Sequence, residues 1–361
     1  MKIITKYILK EFSIPFFLSL CIFCVIFLIS EFFFRLPDFV HHHASFLFIL
    51  KYLIAWIPVY TRDSLPLSCL AGVVFSFSKF NKYNELIALK SCGINIKKII
   101  YPLILAGFFL SLIGIFLNYK IVPDTYRITN IMREQELKKN RQILSTQLHN
   151  LLYSGIDGEK FTIKLFDVSS ETMFDVTIDY FTPDSLLFKQ IKTKKMFYRN
   201  NKWIVENAII RDFDSKTQEL IKEEYFKKKE LNLKDLPQDF LPPKENIEEL
   251  SFVELKNEIR RLKLHLINFS KELTHYYFRI SYPCGSLVII FFIIPISFNL
   301  SHKYSKFRGI GFIIFVSFIY WLLISFFRVL GESGNISPVL SAWIPNIIFF
   351  ISGIILLKFS S

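Results

Sequence analysis

Few side chains in this 361-residue sequence have the types and spacing that chemistry needs. Cys21 and Cys24 are spaced like a redox or zinc-binding pair, but they stand inside an apolar run, which favours two small packing residues. His41, His42 and His43 are consecutive, and adjacent residues rarely converge on one metal ion. They read as interfacial loop residues with a pH-sensitive charge at most. No metal site and no cofactor are expected. The chain has no GxxxxGK[ST] phosphate loop, no nucleophile elbow and no HExxH, so it is not expected to hydrolyse ATP or to act as an enzyme. Arg35 is of another kind. It ends an apolar run, with Asp38 three residues on. A guanidinium at membrane depth is costly unless paired or near water, and its planar fork binds phosphate bidentately. Pairing with Asp38, snorkelling to the interface and holding an anion are its three readings.

The elements that must place such residues are mostly membrane spans. Apolar residues make up 52% of the chain and gather in its two terminal thirds. A polar stretch of roughly 150 residues separates them. A span needs about 20 apolar residues. That predicts spans over Phe12–Phe34, Val59–Phe77, Ile99–Val122, Tyr282–Leu300, Gly309–Phe327 and Val339–Leu357, with the apolar stretch before Val59 lying at the outer surface. The first is long enough to stay in the membrane and lacks a cleavage pattern, so no signal peptide is expected. Lys2, Lys6 and Lys10, then Lys79, Lys82, Lys90, Lys97 and Lys98, then Lys303, Lys306 and Arg308, and finally Lys358 fall on one side of these spans. The positive-inside rule puts that side, with both termini, in the cytoplasm. The net charge of +13 is then topological information, and no nucleic-acid partner is expected. The chain reads as an α-helical polytopic membrane protein with six spans, three before and three after an extracytoplasmic insert. Its parts run over residues 1–122, 123–271 and 272–361.

Within the insert the period changes to two. Phe161, Ile163 and Leu165 alternate with Thr162 and Lys164, and further strands are predicted over Met173–Tyr180, Leu186–Tyr198, Trp203–Phe213 and Glu224–Leu233. Asn200–Asn201 predicts a hairpin turn. Several strands without an intervening helix predict an all-β sandwich or jelly roll. None of the five cysteines lies in the insert, so it must hold together without disulfides. Ser251 with Glu254 forms a capping-box pattern, opening a helix that places Leu255, Ile259, Leu262 and Leu266 on one face.

The loop between the second and third spans, residues 79–98, reads KFNKYNELIALKSCGINIKK. Asn84 through Lys90 predicts a short helix that Gly93 ends. On these residues alone it is either a docking element for a cytoplasmic partner or an amphipathic connector on the lipid surface. NELIALKSCGIN resembles the coupling loop of the LptF/LptG (YjgP/YjgQ) permeases of lipopolysaccharide export. SEFFFRLPDF is similar to the end of that family's first span, and Pro58 and Pro66 to a pair of prolines around its second. KMFYRNNKWIVENAIIRDF resembles its periplasmic strands, FRISYPCGSL the start of its fourth span, and GESGNISPVLSAWIPN its loop into the sixth. The order covers nearly the whole chain, and the strands look more like LptG than LptF.

The resemblance implies an inner-membrane permease subunit with a periplasmic jelly-roll-like domain. It implies a sibling LptF/LptG permease, an LptB-type ATPase dimer that drives the coupling loops, and LptC-like and LptA-like periplasmic proteins that receive the lipopolysaccharide. By position, Glu85 is the acidic residue that meets the ATPase, Leu86, Leu89 and Ile94 fill the ATPase groove, and Gly93 is the loop glycine. Arg35 takes the place of a basic residue suited to lipopolysaccharide phosphates, and Arg133 that of a basic residue bordering the cavity. Arg62 stands one turn after a basic position of the family, where this chain has Val59, and has Asp63 beside it as a rival partner. Phe27 and Phe34 are placed to line an acyl-chain cavity or to face lipid. A lipoprotein-releasing or FtsX-like permease, with four spans and its large domain after the first, fits the span count poorly. A membrane-anchored scaffold or sensor is the alternative from another class.

Overall fold

Long apolar runs in this chain become long helices, since no water is available at membrane depth to satisfy a backbone that is not hydrogen-bonded to itself. In the computed structural model, helix α1 covers Lys2–His41, α2 Phe46–Lys82 and α3 Glu85–Ser91. Helix α4, Ile96–Phe116, runs through a π turn at Leu117–Ile121 into α5, Val122–Leu137. After the strands come α6 (Phe252–Leu264), α7 (Ser270–Asn299), α8 (Lys306–Glu332) and α9 (Pro338–Ser360). The structure describes residues 2–360 apart from 95, 138–146, 183, 185, 215–216, 243–245, 266 and 300–305. Leu266, Leu300 and Lys303 therefore lie outside the described residues.

Five described helical runs are long and apolar enough to cross a membrane: Ile3–His41, Lys98–Glu134, Ser270–Ser297, Ile310–Glu332 and Pro338–Lys358. The expected span Val59–Phe77 is the exception. It lies inside α2, which is one continuous helix from Phe46 and does not break into surface and spanning parts. Helix α2 has the length to cross, but Lys51, Arg62 and Asp63 lower its apolarity. The stretch after Asp63 is shielded by protein instead. Every side chain from Ser64 to Val74 except Leu67 is buried. Gly72 lets α1 approach, since a Cβ there would stand 2.7 Å from the Phe12 ring. A polar staple joins the last three long helices. The buried Tyr320 hydroxyl of α8 donates to Asn346 Oδ1 of α9 (3.0 Å), and Asn346 Nδ2 donates to the Ser281 carbonyl of α7 (2.6 Å). Gly285 of α7 makes the space, because a Cβ there would run into the Tyr320 hydroxyl.

The chain divides into two compact units, one of Met1–Lys138, Asn246–Lys256 and Ser270–Ser361, the other of Lys139–Glu245 and Asn257–Phe269. The boundary expected after residue 122 falls within the continuous α4–α5 run. The second unit holds β1 (Gln147–Ser154), β2 (Lys160–Asp167), β3 (Thr172–Phe181), β4 (Leu187–Arg199), β5 (Lys202–Phe213) and β6 (Leu220–Leu231). All six pair antiparallel with their sequence neighbours, so the described strands form the inserted all-β domain that was expected, as one six-stranded meander. Asn200 and Asn201 take φ of 53° and 61°, the paired left-handed conformation that a two-residue hairpin requires.

The sheet is creased. Asn150, Asp175 and Asn207, on β1, β3 and β5, have positive φ of 54°, 49° and 54°. The flanking registers put them on one line with Lys164 and Lys194. Asn and Asp are the side chains that tolerate that conformation. At the line the buried positions change phase: Met173 is followed by Val176, Thr193 by Met196, and Val205 by Ala208, three apart where a regular strand has two. One face thus stays apolar through the bend. Strand β1 escaped the sequence reading because His149–Asn150 break its alternation.

The 3-10 turn Pro237–Phe240 closes that face, with Phe240 packed edge-on against Trp203 and Phe161. Trp203 Nε1 donates to the Asp235 carbonyl (2.7 Å), and the Asp235 carboxylate accepts from the Tyr153 hydroxyl (3.0 Å) and the Ile156 amide (3.1 Å). The capping box at α6 forms as expected, with Ser251 N donating to Glu254 Oε2 (2.8 Å) and Glu254 N to Ser251 Oγ (3.2 Å).

Two predictions follow from this packing. Gly285→Ala lowers the melting temperature of the purified protein, at a cost of about 2 kcal/mol for overpacking, while Gly311→Ala, at an open position inside α8, does not lower it. Burial raises the pKa of both Asp235 and Glu159 above the usual carboxylate value. A carboxylate so raised binds its proton more tightly in the folded state, so stability is lost as pH climbs from about 4 through the folded values. Amide exchange in β1 and β5 should therefore slow as pH falls through that window, after correction for intrinsic rates, and Asp235→Asn should flatten the trend.

Candidate functional site

Glu31 is the one carboxylate between Phe12 and Phe34, and its surroundings answer the cost of placing it there. Oε1 accepts from Arg35 Nε (3.1 Å), one turn on, and from the Tyr52 hydroxyl (3.0 Å) of α2. Oε2 accepts from the Tyr60 hydroxyl (3.0 Å). Tyr52 and Tyr60 are eight residues apart, two helical turns, so both reach α1 from one face. Asp38 lies 3.7 Å from Arg35 Nη1, and the Arg35 guanidinium sits 5.0 Å from the centroid of the Phe34 ring. Arg35 thus holds the expected partner Asp38 and, more closely, Glu31.

Arg35 and Arg133 line the same pocket, about 140 Å³, with Tyr52, Trp56, Tyr126 and Glu248. Arg133 Nε is buried without a hydrogen-bond partner among the described residues. Tyr126 and Glu248 also line a larger cavity of about 350 Å³. Arg62 belongs to that second cavity. Its Nε donates to Asp63 Oδ1 (2.8 Å) and its Nη1 to Asn118 Oδ1 (3.0 Å). Asn118 sits in the π turn, buried, and its Nδ2 donates to the Arg279 carbonyl (2.9 Å). Such turns re-aim a side chain at the expense of helix regularity and recur at functional sites. Phe27 lines the larger cavity and stacks on Tyr60 at 5.7 Å, whereas Phe34 is exposed.

The segment between Asn246 and Ser251 closes these cavities. Arg279 of α7 donates to the carbonyls of Leu250 (2.6 Å) and Ile247 (2.9 Å). Asn130 of α5 donates to Glu249, and Arg127 pairs with Glu254. Burial disfavours the charge of Glu248, but the hydrogen bond from His275 and the nearby Arg62 and Arg328 hold its pKa well below the usual carboxylate range. Guanidinium groups among tyrosines and one tryptophan suit an anion carried on an apolar body. The sequence reading missed Glu31, Glu248, His275, Arg279 and Arg328. An ionisable residue inside an apolar run is the signal that exposes Glu31.

At the 79–98 loop, α3 spans Glu85–Ser91, one residue later than expected. Gly93 takes φ of 74°, and the Ile94 amide donates back to the Leu89 carbonyl (3.1 Å), closing the helix in a Schellman motif. Leu86 is 4% exposed and Leu89 packs against the same core, so these two leucines hold the helix to the bundle, and Ile87 is the apolar residue left outside. Glu85 accepts a hydrogen bond from the Tyr7 hydroxyl (2.7 Å), and Lys79 pairs with Glu11 (2.6 Å).

Among curated proteins none matches the chain. The sequence profile of the family described as "Lipopolysaccharide export system permease LptF/LptG" matches residues 6–358.

Asp63→Asn should lower stability by about 3 kcal/mol, because it strips buried Arg62 of the carboxylate bonded to its Nε. Replacing both Arg62 and Asp63 with leucine should cost less than that single change. Thermal unfolding of the three proteins in detergent checks the order.

Proposed function

The chain belongs to the LptF/LptG family of lipopolysaccharide export permeases, and we propose from that premise that it draws lipopolysaccharide out of the inner membrane, with Arg35 and Arg133 holding the lipid's phosphates. The family is the permease of the lipopolysaccharide export system, so the chain is a transport subunit and not an enzyme. The observation that carries the reading is the shared pocket of Arg35 and Arg133, where a buried Nε has no partner among the described residues and Tyr52, Trp56 and Tyr126 stand beside Glu248 and Glu249. A phosphate accepts from such a group and from a neighbouring guanidinium together, and an acyl-bearing sugar packs against the rings.

In this reading the termini and the 79–98 loop are cytoplasmic, the strands periplasmic, and α2 is the sixth span, shielded by its neighbours. An LptB-type ATPase dimer docks on α3. Glu85 and Ile87 meet it, Gly93 and Ile94 fix where the helix ends, and Leu86 and Leu89 carry the push into the bundle. The exposed apolar face of α1, including Phe17, Ile22, Val25, Ile29 and Phe33, takes a sibling permease or acyl chains. The lipid then leaves by way of LptC-like and LptA-like proteins. The strand motif leans toward the LptG type.

Purification from native membrane in mild detergent tests the assembly. Wild type should bring down a soluble ABC ATPase and a second permease of the same family. Glu85→Lys should keep the permease and lose the ATPase. Equal recovery of the ATPase with both forms would remove the role given to Glu85, and its absence from an intact wild-type membrane complex would overturn the transporter reading.

A further inference from the structure

His275, in the second turn of α7, is not used by the function proposed above. Its Nδ1 lies 3.2 Å from Glu248 Oε1, and its Nε2 lies 3.1 Å from Glu332 Oε1. A neutral imidazole carries one ring proton, and its other nitrogen offers a lone pair that a carboxylate oxygen repels. Both contacts attract only when the ring carries two protons. The carboxylates come from different elements, Glu248 from the turn Ile247–Glu249 and Glu332 from the last residue of α8. The His275 side chain is 13% exposed, so water is poorly placed to substitute for either contact.

The charged groups around the ring come from every element packed there. Arg328 and Glu332 belong to α8, Arg279 and Lys271 to α7, Arg62 and Asp63 to α2, and Glu248 to the turn, with Tyr126 of α5 beside them. The other ties on the turn use Arg279, Arg127 and Asn130, none of which changes charge near neutral pH. The tie through His275 does. It also decides where Glu248 points its charge. Held by the imidazolium, Glu248 has one oxygen engaged by His275 although it also lines the pocket of Arg35 and Arg133. Released, it becomes a competitor for them.

We infer that His275 is a positioning residue whose second proton clasps the end of α8 to the 246–256 segment, which lines the pocket of Arg35 and Arg133 through Asn246, Glu248 and Glu249, and so makes the permease's grip on its substrate weaken as pH rises. The clasp itself rests on geometry alone, and only the substrate clause rests on the function proposed above. The clasp is present below the ring's folded-state pKa and lost above it, the sign expected for a histidine that gains anionic partners on folding.

Spin labels at exposed Asn246 and Ser333 read the clasp in the full chain, with exposed Cys21 and Cys92 changed to serine. Wild type should give a narrow distance distribution at about pH 6 and a broad one at about pH 9, either side of the ordinary histidine value. His275→Lys, which keeps a charge, should stay narrow at both, and His275→Gln should be broad at both. A wild-type distribution that does not change with pH would overturn the clasp, and that comparison needs no variant. Lipopolysaccharide binding to the assembled complex should fall about tenfold over the same range, but not in His275→Lys. Binding that ignores pH while the distances respond would overturn the link to the substrate. A titrating clasp with no lipopolysaccharide binding at either pH would leave the clasp standing and remove the function proposed above.

Discussion

A charge that water cannot reach must find an opposite charge or a set of hydrogen bonds, and most of the first unit's architecture answers that demand. Glu31 gathers Arg35, Tyr52 and Tyr60, and thereby fixes the register of α1 against α2. Arg62 gathers Asp63 and Asn118, and the π turn exists where Asn118 must reach both Arg62 and the Arg279 carbonyl. Apolar side chains alone would let these helices slide, since hydrocarbon against hydrocarbon discriminates poorly inside a bilayer. The polar contacts supply the discrimination. Their cost is offset by burial within protein rather than lipid, which is why α2, absent from the five described runs apolar enough to cross a membrane, lies among the other long helices.

The same accounting leaves a remainder. Arg133 Nε has no partner among the described residues, and it shares a small aromatic pocket with Arg35, whose own partners are anions. In the function proposed above, that unpartnered Nε is where an anion arrives and leaves. A fully paired site would not take it up, and an apolar one would not select it. At the other end of the bundle, α3 is held by Leu86 and Leu89, so a load on its exposed side is delivered to the core of long helices rather than dissipated in a loop.

Much of this was legible in the sequence, for identifiable reasons. Apolar runs, the Ser251–Glu254 cap, Gly93 and the Asn200–Asn201 turn act locally, so their residues announce them. Five of the six strands were visible through alternation, and β1 was hidden where Asn150 takes positive φ and breaks it. The single creased meander was not legible, because the crease depends on registers across six strands. The cavity was legible in part. Arg35 and Arg133 do share a pocket, but Arg62 lies in the neighbouring one with Asp63. Glu248, His275 and Glu332 come from three elements far apart in the chain, and only the fold brings them together.

The central claim is that a lipid phosphate sits between Arg35 and Arg133. A photoreactive residue in place of Trp56, which lines the same pocket, tests it most directly in cells making lipopolysaccharide. The account predicts cross-linked lipopolysaccharide that disappears when Arg35 and Arg133 are both alanine and when the lipid lacks its phosphates. Cross-linking that survives removal of the phosphates would contradict it.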